Sequence, residues 1–425
     1  MPRSWPAFTT SSRDRLADAA VFLAVSLAFL GILRNQFASD DWELIRQTVG
    51  FRGFDARHLY WMLTTTRLAN NTPLAWLSYA VDYAIWGLNP VGYHLTNLLL
   101  HALNAVLLQR LASRLLGRIF PDAKPAELAL GALVAALAFG LSALRAESVA
   151  WASERRDVLA GTFFLSSLLF YVKFALGRSS VERRKDYILS LVLYAGAALS
   201  KATVVPLPLA LLALDGYPLR RLGAGETPRE RRARLIEKLP YLALAALAAL
   251  LALRAQLASG SLVALSDHSL TGRLAQALFG LGFYVRKTFL PIDLHALYPL
   301  GHPAALSLPT LVSLASIIAV AAVCAAVGVT RRAQAALWAY YLALLLPVLG
   351  LMQNGPQLVA LRYSYLSCLG WAVLAGAAAT AAARSRIKNP ARSAAALAAL
   401  AVWLAYGTWS LQRQIALWHD DLTLW

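Results

Sequence analysis

Long apolar runs recur from one end of this sequence to the other, and they restrict its fold more than any other feature. Crossing about 30 Å of hydrocarbon takes a helix of roughly 17–25 predominantly apolar residues. The runs cover residues 16–33, 90–111, 128–144, 158–176, 187–199, 204–214, 239–257, 306–329, 335–351, 363–383 and 394–411. We therefore predict an all-α integral membrane protein of about eleven transmembrane helices, the shortest of them buried among the others.

The composition supports this class. Of the 425 residues, 59% are hydrophobic and only 15% are charged, whereas about a quarter are charged in soluble domains. The formal net charge of +18 would suggest nucleic acid as a partner of a soluble protein. Here the Lys and Arg residues collect in alternate loops, as membrane topology requires. We expect the lipid bilayer as a partner and no nucleic acid.

The basic residues also predict the orientation. Arg3, Arg13 and Arg15 precede the first run, and the loop 220–238 is the most basic of the chain. Because cytoplasmic loops carry the excess of Lys and Arg, we place the amino terminus in the cytoplasm. The first long loop, 38–89, then lies outside. This predicts a multi-pass protein of the inner (plasma) membrane, with its carboxyl end on the outer (periplasmic) side.

Two further apolar segments are predicted to lie at the membrane surface. The segment 74–88 is rich in Trp, which suits an interfacial helix on the outer face. Arg286 and Lys287 interrupt the segment 270–290, which we interpret as interfacial or re-entrant. The membrane domain is expected to cover residues 1–411. Residues 412–425 form an outward-facing segment.

Three carboxylates follow the first run within four residues: Asp40, Asp41 and Glu43. Adjacent acids at the edge of the hydrocarbon are costly unless they are solvated, paired or used. They either form a solvated loop that ends the helix or supply a general base at the mouth of a membrane cavity. Because neighbouring positions do not share a face, Asp40 and Asp41 should point in different directions.

A stripe of polar residues runs along one predicted span. His94, Asn97, His101 and Asn104 are spaced 3, 4 and 3 apart, which puts them on one helix face. Such a face turns toward other helices or a cavity and away from lipid. Interhelical hydrogen bonding is the simpler interpretation, and we prefer it for Asn97 and Asn104. His94, nearest the outer surface, suits either hydrogen bonding or a functional role.

Several cations fall on the predicted outer side, against the bias toward cytoplasmic positive charge. Arg155 and Arg156 lie in the predicted charged outer loop 145–157, Lys201 lies in an outer turn, and Arg362 precedes Tyr363. Snorkelling or ion pairing would explain each of them, for example a pair between Arg155 and Asp157. A phosphate site at the membrane surface would explain them together, in which case Lys201 and Arg362 should converge.

Five segments, taken in order, resemble the membrane half of the transmembrane and tetratricopeptide-repeat O-mannosyltransferase-like family, including its bacterial members, within the GT-C glycosyltransferase superfamily. They are Asp40-Asp41-Trp42, residues 87–101, residues 147–161, Leu199-Ser200-Lys201 and Arg362-Tyr363-Ser364-Tyr365-Leu366. The resemblance implies a GT-C-like fold, a sugar carried on polyprenyl phosphate, an acidic base in the first outer loop, and transfer on the outer face. The ending 417–425 looks like the start of a first tetratricopeptide repeat.

On this resemblance the chain is expected to be an inverting glycosyltransferase whose acceptor is a protein Ser or Thr hydroxyl or a glycan. The catalytic candidates are Asp40 and Asp41. The donor phosphate is assigned to Arg155, Arg156, Lys201 and Arg362. His94, His101 and Glu147 are assigned to support, or to a divalent metal (Mg²⁺ or Mn²⁺). The alternative is a non-catalytic flippase or scaffold for polyprenyl-linked glycan, which would not need Asp40.

The sequence also departs from the family pattern. Relatives usually carry His-Pro-x-His where this chain has Ser142-Ala143-Leu144-Arg145, and an Asp where it has Leu361. Histidines that hold a metal or a phosphate in relatives would therefore be missing, with Arg145 as a substitute phosphate contact. The metal requirement is left open.

Overall fold

The computed structural model describes residues 12–177, 179–223, 225–301, 307–386 and 388–425. Arg3, used for the predicted orientation, and position 306, where one predicted span begins, lie outside these ranges. The regular structure of the described residues is almost entirely helical, with a single two-stranded antiparallel sheet of β1 (Tyr298–Pro299) and β2 (Gln357–Val359).

The α-helices follow the apolar runs and the turns between them. They are α1 Ser12–Phe29, α2 Ala56–Thr64, α3 Pro73–Trp86, α4 Pro90–Ile119, α5 Pro125–Gly140, α6 Ala146–Ala150, α7 Arg155–Leu176, α8 Ser180–Ser200, α9 Leu207–Gly216, α10 Pro228–Ile236, α11 Leu239–Ser259, α12 Leu270–Phe289, α13 Leu308–Ala326, α14 Arg331–Leu345, α15 Ser364–Ser367, α16 Leu369–Ser385, α17 Pro390–Leu417 and α18 Asp421–Leu424. Several begin with Pro in the first turn, where its missing N–H costs no hydrogen bond.

Among the described residues, six helical stretches are long and apolar enough to cross a membrane. They are Ser12–Arg34, Pro90–Ile119, Ala152–Leu176, Pro228–Ser259, Leu308–Ala326 and Pro390–Leu417. The total rises to eight if two bent helix pairs each count as one span, Pro125–Gly140 with Ala143–Ala150 (52°) and Leu361–Ser367 with Leu369–Ser385 (58°). These helices are those of a multi-pass, all-α membrane protein.

The predicted number of eleven spans exceeds this count for a physical reason. Helix α8 begins with the charged stretch 182–186, α9 has only 10 residues, and α14 has 15. Each is too polar or too short to count as a membrane-crossing helix by length and composition, so the number eleven stays a prediction. The segments 74–88 and 270–290 are helical, as α3 and α12. Their predicted place at the membrane surface stays a prediction as well.

Helix α4 is the packing centre, contacting α1, α5, α7 and α16. Its polar stripe is fully buried, and the side chains bind backbone groups of neighbouring segments. Asn97 Nδ2 donates to the carbonyls of Val149 (3.2 Å) and Trp151 (3.1 Å), and Asn104 Nδ2 donates to that of Val158 (2.8 Å). The interhelical hydrogen-bonding interpretation of Asn97 and Asn104 is thereby confirmed. These bonds hold the segment 149–158 against α4.

Helices α5 and α16 approach each other closely at a pair of glycines. A Cβ added at Gly376 would lie 2.4 Å from the carbonyl oxygen of Gly131, and one added at Gly131 would lie 2.6 Å from that of Gly376. Neither position has room for a side chain, so the two backbones meet directly. Small residues allow this kind of contact between membrane helices.

Candidate active site

A cavity of about 420 Å³ opens between the first loop, α8, α11 and the turn before α15. Its charged and polar lining includes Asp40, Glu154, Arg156, Lys201, Arg362 and Tyr363. Its apolar lining comes largely from α8 and α11 and includes Ala195, Ala198, Leu244, Leu247, Leu251 and Val348. The cavity therefore joins a charged pocket to an apolar groove between helices.

The loop after α1 separates the two adjacent acids. Ser39 has a φ of +54°, and the next residue, Asp40, is exposed to the cavity. Asp41 is fully buried, and its carboxylate accepts hydrogen bonds from the N–H groups of Ala38 (3.1 Å) and Ser153 (2.7 Å). The predicted difference in direction is confirmed. Asp40 is available to a ligand, whereas Asp41 ties the first loop to the segment 149–158.

Burial affects the protonation of both acids. The surrounding protein raises the pKa of Asp40 above its usual value, although Arg156 and Arg362 act in the opposite direction. Burial raises the pKa of Asp41 to about 7, against the effect of its backbone hydrogen bonds. Asp40 thus holds a proton more strongly than a carboxylate in bulk water does.

Three of the four predicted phosphate-binding cations converge on one carboxylate, Glu154. Arg156 Nη2 lies 2.8 Å from Glu154 Oε1, and Lys201 Nζ lies 2.7 Å from Glu154 Oε2. Arg362 Nε lies 3.7 Å from Glu154 Oε1. The cations come from the start of α7, from the turn after α8 and from the turn before α15. Lys201 and Arg362, distant in sequence, therefore meet as expected for a shared site.

Two further carboxylates pair with these cations. Glu147 pairs with the guanidinium of Arg362 and accepts a hydrogen bond from the Arg362 backbone N–H (2.8 Å). Asp157 Oδ1 lies 2.7 Å from Lys201 Nζ. Sequence reasoning singled out Glu147, named Asp157 only as a possible ion-pair partner of Arg155, and missed Glu154. The position of both residues next to Arg155 and Arg156 in the sequence could have identified them.

Arg155 lies elsewhere, although it was grouped with the phosphate-binding cations. Its side chain is 0% exposed, and Nη2 lies 2.6 Å from Asp82 Oδ2 and donates to the carbonyl of Tyr93 (2.8 Å). Its other nitrogens donate to Asn97 and Ser78. The ion-pair interpretation therefore fits Arg155, with Asp82 as the partner in place of Asp157. Arg155 fastens α7 to α3 and α4 behind the cavity wall.

The two histidines assigned to support or metal binding lie within the helix packing. His94 Nε2 is 3.3 Å from the carbonyl oxygen of Gln36. His101 lies between the Tyr365 hydroxyl (2.8 Å) and the carbonyl oxygen of Gly140 (3.1 Å). His94 thereby contacts the loop that carries Asp40, and His101 connects α4 to the start of α15.

The described residues do not fit a divalent metal. They contain no group of three or more His, Cys, Asp or Glu side chains arranged to hold one. The carboxylates of Glu147, Glu154 and Asp157 are engaged by Arg and Lys side chains instead.

The segment 145–157 was predicted as a charged outer loop, and this was wrong in one respect. It is helical and buried, with α6, a 3₁₀ turn at Ala152–Glu154 and the start of α7. Five of its six charged side chains form ion pairs (Glu147, Glu154, Arg155, Arg156 and Asp157), which offset the cost of burying them. Arg145 is buried here too: Nη2 donates to Ser364 Oγ (2.7 Å), and the guanidinium lies 5.5 Å from the ring centroids of Phe139 and Tyr365.

Comparison with curated proteins finds protein O-mannosyl-transferases. The chain is 37% identical to protein O-mannosyl-transferase TMTC2 of Mus musculus over 127 residues, which are 30% of this chain and 14% of the relative. It is 36% identical to TMTC4 of Homo sapiens over 126 residues (27% and 17%). It is 33% identical to Tmtc2 of Drosophila melanogaster over 162 residues (37% and 16%).

These matches confirm the resemblance to the transmembrane and tetratricopeptide-repeat O-mannosyltransferase family. They span less than a fifth of the relatives' length, between 14% and 17% for the three proteins above. No family model matches the chain, and no solved structure matches it.

Proposed function

We propose that this chain is a membrane-embedded, inverting glycosyltransferase that moves a sugar from polyprenyl phosphate to an acceptor hydroxyl, with Asp40 as the general base. One observation carries the proposal: Asp40 and three cations share a cavity that continues into an apolar groove. The relatives are named protein O-mannosyl-transferases, which supports a protein Ser or Thr as acceptor, with a glycan as the other candidate.

The charged and apolar linings of the cavity match the two parts of the proposed donor. The groove between α8 and α11 would take the first isoprene units of the lipid. Arg156, Lys201 and Arg362 would bind the phosphate, Arg through its planar fork and Lys as a point charge. Glu154 holds these head groups together before a ligand arrives. Such preorganisation lowers the free-energy cost of ordering them on binding.

The transfer needs one proton acceptor and one anion site. As the acceptor oxygen attacks the anomeric carbon, its proton passes to the Asp40 carboxylate. The bond between that carbon and the phosphate oxygen breaks, and its electron pair leaves with polyprenyl phosphate. The three cations stabilise the negative charge that grows on this leaving group. The raised pKa of Asp40 favours proton uptake at this step.

The membrane orientation belongs to the same proposal. Arg3, Arg13 and Arg15 near the amino end and the basic residues between α9 and α11 support a cytoplasmic amino terminus. The cavity, loop 38–89 and residues 412–425 would then lie on the outer side of the plasma membrane. Donor and acceptor would meet there.

The test is the substitution Asp40→Asn, which keeps the size of the side chain and removes its basic lone pair. We expect transfer from a polyprenyl-phosphate sugar to fall at least about 10²-fold, the low end of a general-base contribution. Affinity for the donor should stay near that of the parent. Glu43→Gln is the matched control, because Glu43 lies in the same loop but is exposed and paired with Arg67 at 3.3 Å.

Purified variants would be assayed with Ser- and Thr-containing peptides and with a glycan acceptor. Transfer by Asp40→Asn at the parent rate would refute the catalytic assignment. The flippase or scaffold interpretation, which needs the cations but not Asp40, would then replace it.

A further inference from the structure

The loop that carries Asp40 is fastened by the carboxyl-terminal segment, from the other end of the chain. Gln36 N donates to the carbonyl of His419 (2.7 Å), and Asn35 Nδ2 donates to that of Trp418 (2.9 Å). The backbone N–H of Ser39 donates to Asp421 Oδ1 (2.6 Å). Three bonds therefore connect residues 35–39 to residues 418–421.

The last of these bonds falls at a strained position. Ser39 has a φ of +54°, in the left-handed region that non-glycine residues seldom occupy. Such a conformation persists only where its surroundings enforce it. Because Asp40 follows directly, the dihedral angles of Ser39 set the direction of the Asp40 side chain. A change of Ser39 to the extended region would turn Asp40 away from the cavity.

The same terminal segment also packs against a second residue that lines the cavity. The indole of Trp418 stacks on that of Trp151, with ring centroids 5.0 Å apart and planes at 21°. Trp151 lines the cavity, and the guanidinium of Arg362 lies 5.5 Å from its ring centroid. The segment 418–421 therefore reaches Asp40 through the neighbouring residue Ser39, and it reaches Arg362 through Trp151.

From this geometry we infer that Asp421 is a positioning residue for Asp40, acting through the N–H of Ser39. Its carboxylate stabilises the left-handed conformation that aims Asp40 into the cavity. This role rests on the proposed function of Asp40 as the base. Asp421 lies at the start of α18, whose cap, formed by Asp420 on Thr423 N (2.8 Å), fixes its own backbone.

Three variants test the inference. Asp421→Ala removes the acceptor, and we expect kcat to fall about tenfold, as for the loss of one hydrogen bond to a charged group. The donor KM should be unchanged. Asp421→Asn keeps an oxygen acceptor and should restore most of kcat. Ser39→Gly in the Asp421→Ala background should recover part of it, because glycine adopts positive φ without strain. Leu422→Ala, at a side chain 91% exposed, is the control.

Amide hydrogen exchange at residues 36–41 supplies a readout that does not need transfer. Exchange should be faster in Asp421→Ala than in the parent and should return to the parent rate in Asp421→Asn. An Asp421→Ala protein with parent kcat and parent exchange would overturn the inference, and so would an Asp421→Asn protein as impaired as Asp421→Ala. If the parent transfers no sugar, the proposed function fails and the exchange rates alone decide on Asp421.

Discussion

Glu154 is the residue whose replacement most directly tests the charged pocket. Its side chain is 2% exposed and contacts Arg156, Lys201 and Arg362. Glu154→Gln keeps the shape of the side chain and removes its negative charge. The three cations then repel one another in a place that water reaches poorly. We expect the folded protein to be destabilised, and we expect an anionic ligand to compensate.

The magnitude follows from the burial of the contacts. Removing one partner of a buried ion pair costs about 3–5 kcal/mol, mostly because the remaining charge is left unpaired. Here that charge is Arg156, because Lys201 keeps its contact with Asp157 and Arg362 keeps its contact with Glu147. A phosphate bound among the cations would restore a negative charge near the lost one. If it recovers about 1.4 kcal/mol of that cost, the affinity of the variant for polyprenyl phosphate rises about tenfold over that of the parent. An ordinary loss of a binding-site residue would lower this affinity.

Thermal unfolding in detergent, with and without polyprenyl phosphate, measures both effects. Glu154→Gln should unfold at a lower temperature than the parent. Its unfolding temperature should rise more than that of the parent when the ligand is added. Asp82→Asn is the matched control: it breaks a buried pair of similar geometry, with Arg155 at 2.6 Å, behind the cavity wall. It should be destabilised, but the ligand should raise its unfolding temperature no more than it raises that of the parent. Equal gains in the two variants, or a parent-like gain in Glu154→Gln, would refute the reasoning.

Two other predictions concern topology and pH. Cysteines introduced as Ser39→Cys and Thr423→Cys should be labelled from outside intact cells and Thr227→Cys should not, because the loop 220–238 is the most basic; labelling of Thr227→Cys would reverse the orientation. Burial raises the pKa of Asp41 to about 7 from its ordinary value of 3.8, so between these two pH values the folded state holds a proton that the unfolded state has lost. Asp41 therefore contributes stability below pH 4 that is lost as pH rises to about 7, and Asp41→Asn should flatten this decline in the unfolding temperature.

Local sequence patterns predicted those features of the fold that depend on local geometry, such as helix positions and the face on which a residue lies. Apolar length located the helices, and the spacing of the α4 stripe put Asn97 and Asn104 on a buried face. The alternation of neighbouring residues separated Asp40 from Asp41. The partner of Arg155 was out of reach, because Asp82 lies on another helix, 73 positions away. Spacing along one helix or loop carries no information about which element packs against it.

The cations predicted to lie on the outer side have two interpretations, ion pairing and phosphate binding, and the geometry of the pocket makes them compatible. Arg156, Lys201 and Arg362 are paired, yet their common partner is a carboxylate at the wall of an open cavity. A ligand phosphate does not have to gather these head groups, because Glu154 already holds them. A bound phosphate would also place negative charge near Asp40, which raises the proton affinity of a neighbouring carboxylate. In the proposed function, donor binding would therefore make Asp40 a stronger base at the time when an acceptor must lose its proton.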